Sequence, residues 1–230
     1  MPENRVRAYP VRPVIDALAD AGSVLELGAG WGAGMVTALA RIEGRAVGVL
    51  ANNPEHLGGA IDAEAADKAA RFLGVCDAHG LAVVSFCDTP GFVVGPETER
   101  TGAVRRFGAM FVAGAQLRSP LVTVVLRKGY GLGAMAMAGG DLKAPLVTVS
   151  WPTGEFGGMG LEGGVRLGYR KELEAIADAA ERQAHYEELV AAAYERGKGL
   201  SAAAAFELDD VIDPADTRSV IGRALGPDQP

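Results

Sequence analysis

The chain has 230 residues, 49% of them apolar, and a formal net charge of −7. That length holds one sizeable domain over 1–230 and is too short for two well-built ones. The acidic balance excludes a nucleic-acid surface, which needs a clustered positive field, and no run approaches the roughly 18 apolar residues that cross a bilayer.

In chain order, Val24–Leu27 reads as a short strand ending in the glycine-rich Gly28-Ala29-Gly30-Trp31-Gly32. The next strand is Ala46–Ala51, followed by a helix over Ala63–His79 and a strand over Ala82–Cys87. A helix over Glu97–Leu117 leads to a strand over Leu121–Leu126 and a short helix from about Gly133. A strand over Leu146–Trp151 and a long polar helix from about Arg170 to Arg196 come next. Asp213-Pro214 supplies an N-cap and a first-turn proline for a last helix. Strand runs alternating with amphipathic or alanine-rich segments are the α/β pattern, here as stacked βαβ units with right-handed crossovers.

Cys76 and Cys87 are too few for a disulfide framework, and no signal pattern is seen at the N-terminus, so a reducing cytoplasm is expected. His56, His79 and His185 are scattered without i,i+4 or cysteine company, so no metal site is expected. Arg105, Arg106, Arg127 and Lys128 serve either an anionic ligand or a solvated helix face and strand end.

The most informative stretch is Arg127-Lys128-Gly129-Tyr130-Gly131-Leu132-Gly133-Ala134-Met135. It leaves a strand and enters a helix, and its glycines remove side chains that would keep a substrate from the backbone. The exposed amides face the positive end of the helix dipole, a setting that holds an oxygen as it gains charge. No strong nucleophile stands beside it, so the chemistry is expected to rest on backbone donors. Asn52-Asn53-Pro54, Asp88-Thr89-Pro90-Gly91-Phe92 and Trp151-Pro152-Thr153 with Gly157-Gly158-Met159-Gly160 end three other strands. All four turns fall on one edge of an open sheet, where ligands bind in such folds.

Two glycine patterns invite other readings. Gly28–Gly32 is similar to the first motif of S-adenosylmethionine methyltransferases, which requires an acid ending the next strand. That strand ends in Asn52-Asn53-Pro54, so a glycine-permitted turn between two edge strands is the better reading. Gly129–Gly133 lacks the full dinucleotide fingerprint and the acid-tipped strand that should follow it.

Taken together, the motifs resemble the carboxyltransferase (beta) subunits of biotin-dependent acyl-CoA carboxylases, of the propionyl-CoA and acetyl-CoA carboxylase type. The match is carried by Tyr9–Ile15, Gly44–Asn53, Asp67–Phe72, Asp88–Phe92, Arg127–Gly131, Trp151–Thr153, Met159-Gly160, Tyr169–Lys171, Asp209–Pro214 and Thr217-Arg218. It is collinear over nearly the whole chain.

The resemblance implies a crotonase-like (ClpP/crotonase) fold of stacked ββα units with a C-terminal helical segment. It implies the C-terminal, biotin-side half of the family subunit, with amides of Leu132 and Gly133 forming the oxyanion hole. Gly91, Phe92, Gly131, Ala134, Met135, Met159 and Gly160 are the implied substrate- and biotin-binding residues. Implied partners are an N-terminal-half chain that supplies most of the acyl-CoA site, a biotin carboxylase and a biotin carboxyl carrier protein, within an oligomer such as a hexameric ring. Biotin would ride on the carrier rather than on this chain.

Two positions depart from the family pattern. Met135 stands where an Asp commonly follows the oxyanion turn and helps select acyl length, which points to a larger or more apolar acyl group. Phe107 stands where the family usually has Gly, and is expected to narrow the wall after the Pro-Gly-Phe loop. These departures motivate an alternative, a non-catalytic assembly subunit; another is a stand-alone crotonase-like acyl-CoA hydrolase or decarboxylase. The apolar edge around Phe92, Val93 and Val94 is expected to be buried between protomers. A Met1 start ahead of the Tyr9–Ile15 match is expected of a natural or designed half rather than of random breakage.

Overall fold

A computed structural model describes Pro2, Asn4 and residues 7–226; Met1 lies outside the described residues. Helix α1 (Arg12–Leu18) precedes the strands β1 (Leu25–Leu27), β2 (Met35–Ile42) and β3 (Arg45–Asn52). Then come α2 (Ala63–Ala78), β4 (Val83–Thr89), α3 (Pro96–Arg100), α4 (Ala103–Gln116), β5 (Leu121–Tyr130) and α5 (Gly131–Met137). The chain ends through β6 (Val147–Ser150), β7 (Glu155–Gly157), α6 (Leu161–Gly168), α7 (Arg170–Ala175), α8 (Ala179–Gly197), α9 (Gly199–Ala204), β8 (Asp210–Val211) and α10 (Thr217–Leu225).

The sheet runs β1-β2-β3-β4-β5-β6-β8, with β7 pairing the end of β5. β1, β2 and β3 form antiparallel pairs, while β3 to β6 are parallel neighbours. This is the crotonase-like α/β arrangement, and the four turns expected on one edge follow the carboxyl ends of β3, β4, β5 and β6. The Gly28–Gly32 segment lies in the turn between β1, at the sheet edge, and β2, which is paired on both sides, so it does not join two edge strands as expected. Alternation along each strand sends side chains to opposite faces. Val122, Val124 and Leu126 of β5 join the core under α1 and α10. Leu121 and Val125 join the core under α2, α4 and α5.

Two predicted helices are broken. The segment 97–117 splits because Gly102 adopts φ 71°, a left-handed turn that ends α3 and starts α4. The segment 170–196 splits because Ile176 is extended and Asp178 caps a new helix, accepting from the N–H groups of Ala180 and Glu181 at 2.9 Å. Helical periodicity reads through both breaks. β5 also runs four residues past the predicted Leu126, and α5 starts at Gly131 rather than near Gly133. Asp213 does cap, but its first turn is a 3-10 turn over Pro214–Asp216, and α10 follows from Thr217.

Candidate functional site

The β5–α5 turn is held from both sides by other loops. Gly131 has φ 56°, and a Cβ there would stand 2.7 Å from the Gly158 carbonyl oxygen. A Cβ on Gly133 would stand 2.7 Å from the Gly91 Cα, and one on Gly129 would meet the Phe156 ring at 3.1 Å. These glycines have a packing role beyond leaving room for a substrate. They let the Gly91 and Gly158 loops close on the turn, and this close packing fixes where its amides point.

Among the described residues no side chain caps α5, so the N–H groups of its first turn, including those of Leu132 and Gly133, lack the partner a cap would supply. Leu132 is 63% exposed and Gly133 is buried. An oxygen gaining negative charge at this end would meet donors and the positive end of the helix dipole.

Beside the turn lies a cavity of about 350 Å³ lined largely by apolar groups: Gly129, Gly131, Ala134, Met135, Leu142, Phe156, Gly157 and Gly158, with Arg196, Ser201 and Glu207 contributed from α8, α9 and the loop after α9. The structure thus brings Gly131, Ala134 and Met135 together on one wall. Met159 and Gly160 follow Gly158 in the chain but are not among the lining residues, and Gly91 and Phe92 pack against Gly133 rather than line the cavity. Ala134 is 1% exposed and forms floor, whereas Met135 and Met159 present partly open side chains. Arg196 and Glu207 are the ionisable groups among the lining residues.

Phe92 and Phe107 stack at 4.4 Å between ring centroids, with Phe111 at 6.1 Å from Phe92. Through this stack Phe107 anchors the Gly91-Phe92 loop to α4. Val94, two residues on, is 83% exposed.

A residue set that sequence reasoning missed lies behind the turn. Asp88, fully buried, accepts from Arg127 Nε at 3.1 Å and from the Lys128 backbone N–H at 3.1 Å, and pairs with Lys128 Nζ at 2.9 Å. Its own N–H donates to Asn52 Oδ1 at 3.0 Å. Arg127 also donates to the Arg7 carbonyl at 2.9 Å and lies 4.9 Å over the Tyr9 ring. Arg127 and Lys128 thus serve an internal acid, and Arg106 pairs with Asp67 at 2.7 Å. The signal was present in Asp88-Thr89-Pro90, where an acid ends an apolar strand. Asp88 sits in a register shift between β4 and β5, so the network sets the alignment of the two strand ends that carry Gly91 and Gly131. Just before α5, the Tyr130 hydroxyl donates to Glu155 at 2.9 Å, and burial with that acid raises its pKa.

The family described as Carboxyl transferase domain matches residues 1–227. The chain is 40% identical over 229 residues to the methylmalonyl-CoA carboxyltransferase 12S subunit of Propionibacterium freudenreichii subsp. shermanii, covering 98% of this chain and 42% of that protein. It is 42% identical over 228 residues to the biotin-dependent acetyl-/propionyl-coenzyme A carboxylase beta6 subunit of Mycobacterium bovis, covering 98% of this chain and 48% of that protein. The chain therefore spans about half the length of the curated relatives it matches. Among solved structures, a single-chain, multi-domain long-chain acyl-CoA carboxylase superposes with a TM-score of 0.88 at 61% identity, over 97% of this chain and 22% of that one. The transcarboxylase 12S structure, a hexamer assembly with methylmalonyl-coenzyme A bound, superposes with a TM-score of 0.91 at 38% identity, over 98% of this chain and 43% of that one.

Proposed function

The chain belongs to the carboxyl transferase domain family, and we propose that it acts as a single domain, the carboxyltransferase half of an acyl-CoA carboxylase. In this reading a carboxyl group moves from carboxybiotin to an acyl-CoA. The observation that carries it is the uncapped first turn of α5, clamped between Gly91 and Gly158 beside an apolar cavity. These residues fit biotin by their chemistry: amide donors suit the ureido oxygen, and the apolar wall suits the tetrahydrothiophene ring and its aliphatic side chain. When bound, biotin supplies the carboxyl group and, once that is released, a nitrogen basic enough to take the α proton of the acyl-CoA. The N–H groups of Leu132 and Gly133 donate to the oxygen that gains charge. The helix dipole adds to them, and losing one such donor costs about 3 kcal/mol of barrier. The Asp88 network holds the two strand ends in register so that the donors do not reorganise during reaction. No side-chain base on this chain is required.

Met135 and the apolar cavity favour a long, apolar acyl chain, as does the 61% identity to a structure described as a long-chain acyl-CoA carboxylase. The partners in this reading are an N-terminal-half carboxyltransferase chain, a biotin carboxylase and a biotinylated carrier protein, assembled as a higher oligomer. Among the described residues no helix is long and apolar enough to cross a membrane. The test is co-expression with a candidate N-terminal half, followed by carboxyl transfer from carboxybiotin to palmitoyl-CoA and propionyl-CoA. A mixed complex active on the longer substrate supports the reading. Full activity of the chain alone, or silence of a well-formed complex with every acyl-CoA, overturns it.

A further inference from the structure

The Gly28–Gly32 turn takes no part in the chemistry above. It joins antiparallel strands, so it is not the strand-to-helix loop of a dinucleotide or S-adenosylmethionine site. Lys68, from the middle of α2, runs beneath it. A Cβ on Gly32 would stand 3.1 Å from Lys68 Cδ, and one on Gly28 would stand 3.4 Å from Cε and 3.9 Å from Nζ. Both glycines have positive φ, 65° and 58°, so the turn is built to admit the lysine under its backbone.

Lys68 is 5% exposed. Among the described residues no acceptor lies within hydrogen-bond or ion-pair distance of its ammonium. Glu26, whose charge it feels, is already held by Arg12 through bonds of 2.8 and 2.7 Å. Burial accordingly pulls the lysine below its ordinary pKa. The stem of Lys68 is covered by the turn while its ammonium stays open to solvent without a protein acceptor among the described residues, so an anion seated in the turn would gain a charge-assisted partner. Around this point Trp31 is 36% exposed, and the exposed Arg71 places its guanidinium 5.5 Å from the indole centroid.

We propose that this turn binds a nucleotide: a phosphate group on Lys68, with Arg71 as a second cation, and a flat base against Trp31. Phosphate oxygens would complete the lysine's three donors, and an indole offers the stacking surface that bases use without sequence preference. Free nucleotides and the 3′-phosphorylated nucleotide end of a coenzyme A thioester carry this same chemistry. The turn shares the sheet edge with α5. A Cβ on Gly34 would meet Ala65 at 3.2 Å, Ile61 bridges to Phe92, and Gly91 meets Gly133.

Calorimetric titration of the full chain with pyrophosphate, ADP and 3′-phosphoadenosine 5′-diphosphate tests the proposal. All three are expected to bind, the two nucleotides more tightly than pyrophosphate. Lys68→Met should weaken each by roughly tenfold or more, as loss of a charge-assisted bond does, while melting no lower than the parent chain. Lys68→Arg should retain binding, and Trp31→Ala should bring the nucleotides down to the pyrophosphate level. Tighter binding of the 3′-phosphorylated probe assigns the coenzyme A end, and equal binding assigns free nucleotides. No heat from any probe, or Lys68→Met binding like the parent, overturns the site. Should Lys68→Met fail to fold, Arg71→Ala with Trp31→Ala reads the same question, and unchanged nucleotide affinity in that pair overturns it. Either failure leaves the carboxyl-transfer reading in place, because that rests on α5 and is read by product formation.

Discussion

Gly133 and Gly91 pack backbone to backbone: a Cβ on Gly133 would stand 2.7 Å from the Gly91 Cα and 2.9 Å from its carbonyl carbon. The two loops can come this close because neither carries a side chain there. Gly133→Ala should therefore push α5 away from the β4 loop and misplace its amides. We expect kcat in a reconstituted complex to fall roughly 100-fold, with the fold weakened by about 1–3 kcal/mol of overpacking. Unchanged kcat at normal assembly would show that the approach does not matter.

Asp88→Ala should be costly for stability. It leaves Arg127, 3% exposed, and Lys128 without the carboxylate both depend on. Breaking a buried pair by removing one partner costs about 3–5 kcal/mol, which urea unfolding would register as a large drop in midpoint. A loss below about 1 kcal/mol would mean that water or another acid takes over.

Met135→Asp should shift acyl preference. The side chain lines an apolar wall, and a carboxylate there disfavours burial of a hydrocarbon tail. The ratio of kcat/KM for palmitoyl-CoA over propionyl-CoA should fall by roughly tenfold or more. An unmoved ratio would place acyl selection elsewhere, in the partner half.

Much of the fold was legible because β3 to β6 are short, largely apolar runs separated by helix-length segments. The breaks at Gly102 and Asp178 were not, since helical periodicity carries across them. The site was legible in position but not in cause. Sequence shows that residue 131 is Gly, yet its requirement comes from the Gly158 carbonyl, a contact between segments that only the fold brings together. Asp88 was read as part of a loop motif because its partner Arg127 lies 39 residues away. The stack of Phe107 on Phe92, well separated in sequence, is likewise a contact that only the fold reveals.

The two cysteines give a pH dependence with a definite sign. Burial pushes the Cys76 thiol from its ordinary 9.0 up to about 11, and Cys87 is raised further by burial and by Asp88. The folded state favours the protonated thiols, so this contribution is complete below pH 9 and fades as pH rises toward 11. Thermal melts should lose stability over that window. Substituting both cysteines by Ala should flatten the slope. An equal slope in the double variant would assign it to tyrosines or lysines.

The most direct test of the central claim removes one donor and leaves the rest. Leu132 is exposed and in the first turn of α5, where proline is tolerated because its N–H has no partner within the helix. Carboxyl transfer by the complex of Leu132→Pro chain with the N-terminal half should fall by roughly 100-fold at unchanged KM for acyl-CoA and unchanged assembly mass. A variant complex that transfers carboxyl groups at the parent rate would contradict the assignment of catalysis to the amides of this turn.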